Sequence, residues 1–191
     1  MAPILLLHSA LGLRPAVHDI ADRLRSFGHE VTVPDFYEGH VFDGQADGIA
    51  HRDAHPEYFE HVRSVADRLP AETVFAGFSL GAWFAQRLAA RRPDSGGAIL
   101  LHSCAPPRPP WPGVPVQVHR YARDPWIDPA DVSALGEAVH ASGAAFEDHV
   151  TAGEGHLFTD PQLPDFDAAA TDATVARIAT FLAADGLALA P

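Results

Sequence analysis

The segment Gly77-Phe78-Ser79-Leu80-Gly81 carries the pattern G-x-S-x-G, a serine flanked by residues that lack a Cβ atom. Thr73-Val74-Phe75-Ala76 before it reads as a strand and Ala82 to Arg92 after it as a helix, so the pattern falls on a strand-to-helix turn. There the glycines let the chain turn tightly enough to hold Ser79 in a strained conformation, its hydroxyl exposed at a helix N-terminus. Composition alone would produce roughly 0.05 copies of the pattern in such a chain. A serine hydroxyl is a poor nucleophile at neutral pH. It needs a base, and the base needs a third group to hold its tautomer and stabilise its cation. Asp124, in Arg123-Asp124-Pro125-Trp126, and His156, in Gly155-His156-Leu157-Phe158, each follow a late strand, in the order serine, acid, histidine. Asp128, four residues beyond Asp124, is a rival acid or the cap of the next helix.

These side chains need a scaffold that brings distant loops together. Apolar runs predict strands at Pro3 to Leu7, Glu30 to Val33, Thr73 to Ala76, Ala98 to His102, Val116 to Tyr121 and Ala145 to Val150. Helical periodicity falls between them, at Ala16 to Phe27, Tyr58 to Leu69, Ala82 to Arg92 and Asp131 to Ala141, and closes the chain at Ala168 to Leu182. The alternation predicts an α/β fold, a mostly parallel central sheet of about six strands flanked by helices on both faces. In such sheets function gathers at the carboxyl ends of the strands. Asp43 to His55, rich in Asp, Gly and His, reads as a loop leading into a helix. Ala105 to Pro115, with six prolines in eleven residues, reads as an extended connection.

A chain of 191 residues that is 47% hydrophobic suits a single domain over residues 1–191. With 13 Lys+Arg against 25 Asp+Glu the net charge is −12 and no stretch concentrates arginine, which argues against nucleic acid as a partner. The start, MAPILLLHSALG, has no basic region and too short an apolar run for a signal peptide or a membrane span, so the expected compartment is the cytoplasm, without membrane attachment. The lone Cys104 cannot form an internal disulfide and reads as a small packing residue at a strand end. His51, Asp53, His55 and His61 invite a metal reading. However, Arg52 stands where the H-E-x-x-H pattern needs glutamate, and no metal is assigned.

In their order and spacing, His8-Ser9-Ala10-Leu11-Gly12, Pro34-Asp35-Phe36-Tyr37, Gly77 to Gly81, Asp124 and Gly155-His156-Leu157-Phe158 resemble the dienelactone hydrolase family of α/β-hydrolases over nearly the whole chain. The resemblance implies a minimal α/β-hydrolase fold that lacks the first strands, because the chain starts directly at the strand before the oxyanion loop. It implies Ser79 as nucleophile, His156 as general base and then acid, and Asp124 as the group that orients His156. The backbone N–H groups of Ala10 and Leu80 would form the oxyanion hole. Three positions depart from the family. Ser79 stands where it has cysteine and Ser9 where it has an activating glutamate, so an ordinary serine triad fits better. Asp160 stands where a substrate-gripping arginine follows the catalytic histidine, which disfavours an anionic lactone.

The expected activity is hydrolysis of a small-molecule carboxylic ester, lactone or thioester through an acyl-enzyme, with no cofactor, by a monomer or homodimer. The alternatives are a dienelactone hydrolase proper acting on an anionic lactone and a catalytically silent hydrolase-fold protein that binds a ligand in the same pocket. Ser9, Leu11, Phe36, Tyr37, Trp126 and Phe158 lie on loops at the active end and are the expected substrate pocket, with core packing as the rival reading of the aromatic rings.

Overall fold

The structure, a computed structural model, describes residues 1–108 and 110–184. Six strands, β1 (Pro3–Leu7), β2 (Glu30–Thr32), β3 (Val74–Phe78), β4 (Gly97–Leu101), β5 (Val116–Arg123) and β6 (Phe146–Glu154), form one sheet in the order β2-β1-β3-β4-β5-β6. Every pairing is parallel. Six helices connect and flank them: α1 (Pro15–Ser26), α2 (Gln45–Ala54), α3 (Tyr58–Ala66), α4 (Leu80–Ala89), α5 (Pro129–Ala141) and α6 (Ala168–Ala184).

The period-two alternation of the strands sorts the core into two layers. Leu5, Leu7, Phe75 and Leu100 join the apolar faces of α3, α4 and α5. Ile4, Leu6, Val74, Ala76, Ile99 and Leu101 join those of α1 and α6. With both faces covered, β3 and β4 are buried at every position, which is why they read as continuous apolar runs rather than alternating ones. After β1 the chain adds β2 on one side and then returns to place β3 on the other. The order reverses there, and the carboxyl ends of β1 and β3 open a crevice.

Two expectations need correction. The polar stretch read as a loop contains α2. Its composition is poor for a helix, but tertiary contacts outweigh that weak propensity: the Tyr37 hydroxyl donates to the Gly48 carbonyl, and the His51 ring lies 4.9 Å from that of Tyr37. Strand β6 also runs to Glu154, beyond the expected end at Val150. The cross-strand pair Arg123–Glu154 extends the ladder without an apolar signal. The proline-rich connection has no regular element, and Gln86 of α4 clamps its start, donating to the Ala105 carbonyl and accepting from the Ala105 amide. Among the described residues no helix is long and apolar enough to cross a membrane.

Candidate active site

Ser79 joins β3 to α4 with φ 50° and ψ −106°, a left-handed conformation for a residue with a side chain. Such a conformation costs on the order of 1–3 kcal/mol and persists only where the surroundings dictate it. Here the surroundings are backbone. A Cβ at Gly77 would lie 2.3 Å from the Gly81 carbonyl carbon, and one at Gly81 would lie 2.3 Å from the Leu7 carbonyl oxygen at the end of β1. The turn therefore folds on itself and against the neighbouring strand so closely that both positions exclude any side chain. The Ser79 amide donates to the Leu101 carbonyl at 2.7 Å, which ties the turn to the end of β4.

Ser79 Oγ lies 2.8 Å from His156 Nε2. His156 Nδ1 donates to the Asp124 carboxylate, 2.8 Å from Oδ2 and 2.9 Å from Oδ1. Both partners of that pair are buried, whereas Ser79 is partly open to solvent. Backbone contacts hold the two loops: the Trp126 amide donates to Asp124 Oδ1, and the His156 amide donates to Asp165 Oδ2. Asp128 is not part of this arrangement. It caps α5, accepting from the Ala130 amide at 2.8 Å. Ala10 follows β1 and Leu80 opens α4, on the two sides of the crevice. Among the described residues neither of their amides donates a hydrogen bond, so both are free to meet a negative charge.

The opening at Ser79, about 230 Å³, is lined by Ala10 and Leu80, by Gln45, Ile49 and Arg52 of α2, and by Trp83, Ser103 and Trp126. Trp126 is the one expected pocket residue that the structure leaves there. Half exposed, its ring centre is 5.9 Å from that of His156. Ser9 is buried within its loop, accepting from the Leu11 amide, and Leu11 packs into the layer beside α1. Phe36 and Tyr37 are fully buried, the Phe36 ring stacked 3.6 Å from that of His8. Phe158 is buried between His102 and Tyr121. These rings complete the core beneath the loops and do not reach the opening. Gln45, Ile49 and Arg52, which do, were missed because α2 was read as a loop, and Trp83 and Ser103 were missed as well. Trp83 alone had a usable signal, one helical turn past Ser79.

Asp160 is buried in a 2.6 Å contact with the Arg14 guanidinium, and its carboxylate does not line the opening. His102, next to the site, is buried with Nε2 on Thr159 Oγ1; burial holds its pKa well below the ordinary histidine value, and His156 and His119 push the same way. It is a neutral ring at physiological pH. His51 Nε2 shares a hydrogen bond with the Tyr58 hydroxyl and His55 Nδ1 donates to the His51 carbonyl. Among the described residues no group of three or more His, Cys, Asp or Glu side chains could hold a metal ion. Cys104 is buried and its thiol is pushed up to about 12, mainly by that burial.

Known structures share this architecture. A dienelactone hydrolase-like promiscuous phosphotriesterase, P91, from metagenomic libraries superposes with a TM-score of 0.80 at 18% identity, covering 96% of this chain and 86% of that one. Arabidopsis thaliana SOBER1 gives 0.64 at 16% identity, covering 96% and 98%. A lipolytic enzyme described with LipS and LipT, two metagenome-derived lipolytic enzymes, gives 0.68 at 13%, covering 95% and 93%. At such identities the likeness is one of fold, the α/β-hydrolase fold. Among curated proteins no sequence matches significantly. The sequence profile of one family of hydrolases acting on ester bonds does match, over residues 1–185, and with the elbow, the parallel sheet and the strand order it leads to one assignment: the chain belongs to the dienelactone hydrolase family.

Proposed function

We propose that the protein hydrolyses a carboxylic ester, lactone or thioester through an acyl-enzyme on Ser79. One observation carries the reading: a buried imidazole bridges a carboxylate and a serine hydroxyl held in a strained turn, beside two free amides. With Nδ1–H given to Asp124, Nε2 keeps its lone pair and takes the proton of the Ser79 hydroxyl as Oγ attacks the carbonyl carbon. The carbonyl oxygen becomes an oxyanion and takes hydrogen bonds from the Ala10 and Leu80 amides, with the N-terminus of α4 adding its dipole. Collapse expels the leaving group, which takes the proton from Nε2. Water then loses a proton to Nε2 as it attacks the acyl-enzyme, and when the second tetrahedral intermediate collapses the C–Oγ bond breaks, Nε2 returns the proton to Ser79 Oγ and the acid departs.

Treatment with a fluorophosphonate probe followed by peptide mass spectrometry tests this without a guess at the substrate, because only an activated serine reacts quickly. A single adduct on Ser79, lost in His156→Ala, is the expected result. An unlabelled, folded protein, or a label on another serine, overturns the mechanism.

A further inference from the structure

From Ser79 at the start of α4, residues four apart run Trp83 and Arg87 along one ridge of the helix, leading away from the reactive hydroxyl, and Arg91 follows in the turn just past its end. Trp83 lines the opening at Ser79 and also the neighbouring cleft of about 440 Å³, whose walls hold Arg87, Arg91, Arg108 and Trp111 and no carboxylate. Among the described residues none of the three guanidinium groups lies within 4.0 Å of an acidic side chain. Among the described residues six of the 13 arginines have no such partner, and three of those six meet on this one cleft. Gathering three cations costs energy: burial lowers the Arg87 pKa, Arg91 and Arg108 lower it further, and Glu60, itself paired with Arg63, opposes the shift by a smaller amount. Arg87 sits 3.8 Å over the Phe59 ring and 4.6 Å over that of Trp83, contacts that orient the guanidinium without cancelling its charge.

We propose that this cleft takes the anionic end of an extended acyl ester whose scissile carbonyl lies at Ser79, the acyl chain crossing Trp83. The proposal rests on the hydrolase reading above. The acyl part takes this side because the leaving group must meet His156 Nε2, beside which Trp126 lies. Helical rise carries Arg87 about 12 Å along the axis from Ser79, and Arg91 lies beyond it, past the end of α4. The oxyanion therefore sits on the order of ten bonds from the carbonyl, a span beyond a compact lactone. A fork of guanidinium N–H groups is the donor set that a terminal carboxylate or phosphate matches best. Asp160, neutralised against Arg14, does not oppose such a ligand.

The test compares p-nitrophenyl hydrogen dodecanedioate with its terminal carboxamide of equal length, and uses p-nitrophenyl acetate as the reference ester. The carboxylate ester is expected to have a KM about tenfold or more below that of the carboxamide. That advantage shrinks as salt rises to about 0.5 M, because Arg91 and Arg108 are exposed. In the double variant Arg87→Gln/Arg91→Gln the ratio of the two KM values falls close to one; the ratio is internal to each protein, so partial loss of folding cancels. Equal KM values in the unaltered protein, with acetate still turned over, overturn the anion cleft and leave the hydrolase reading standing. If none of the three esters is hydrolysed, the hydrolase reading fails, and calorimetric titration of dodecanedioate into the unaltered protein and the double variant decides the cleft. Binding lost in the variant supports it, and absent or equal binding overturns it.

Discussion

Two walls of one opening are built in different ways. The wall of Ser79, Leu80 and Trp83 is fixed by main chain: the Ser79 amide on the Leu101 carbonyl, Gly77 against Gly81, Gly81 against the end of β1. The wall of Gln45, Ile49 and Arg52 rests mostly on side chains, a cluster of Tyr37, His51, His55 and Tyr58 rings under α2. A main-chain constraint enters at Gly48, where a Cβ would lie 2.0 Å from the Ala10 carbonyl oxygen. The proposed nucleophile sits on the wall pinned by main chain, and the wall facing it is held mostly through side chains. Substitutions in the first should cost turnover or folding, and those in the second should tune them.

The sharpest break acts on the first wall through its histidine. Asp124→Asn keeps the shape of the acid but favours the wrong imidazole tautomer, and kcat on p-nitrophenyl acetate is expected to fall on the order of 10⁴-fold with little change in Tm. A fall below about tenfold would assign the role of Asp124 elsewhere. Next in size is Gly81→Ala, whose Cβ meets main chain that cannot retreat. A loss of about 3 kcal/mol lowers Tm by roughly 10 °C, read by circular dichroism. Gly48→Ala sharpens the contrast, since α2 can shift to relieve its contact. Tm is expected to drop by only about 3 °C while kcat falls about tenfold, because the Ala10 amide moves with its carbonyl. Equal melting shifts for the two glycine variants would erase the distinction between the walls.

The last effect is read in acid and concerns the layers behind both walls. Burial lowers the pKa of His8, stacked on Phe36, to about 4, against the pull of Asp35 at 3.7 Å. Burial lowers that of His119 to about 3, with His149 and Arg177 adding to the shift. Both histidines bind fewer protons folded than unfolded below pH 6.5, so their stabilisation is complete above that value and is lost as pH falls toward the folded pKa values. Each contributes a slope of about 1.4 kcal/mol per pH unit. Urea midpoints measured between pH 6.5 and 5, above the ordinary carboxylate range, should fall steadily. A flat profile there would contradict the neutral burial of these rings.

The elbow was legible in the sequence because its constraints are local: two glycines, a strand before, a helix after. His156 and Asp124 were legible by position, each just past a strand that the apolar runs already marked. Helix α2 was not, because residues such as His51 and Gly48 owe their conformation to Tyr37, Tyr58 and the Ala10 carbonyl, which local periodicity cannot register. The same limit put Phe36, Tyr37 and Phe158 in the pocket: a ring on a loop at the active end can point out or fill the layer beneath, and that choice is tertiary. Asp160 could be judged only once its partner was known, 146 residues away in sequence.

The burial of Cys104 has a practical side. The chain has one thiol, and with its ionisation pushed up to about 12 that sulfur stays protonated and inert toward alkylating reagents in neutral buffer. Exchanging the Ser79 oxygen for sulfur, Ser79→Cys, would therefore give a molecule whose entire reactive-thiol signal comes from one address at the foot of the opening. A stoichiometric thiol count then becomes a direct assay of how many molecules in a preparation present that turn to solvent.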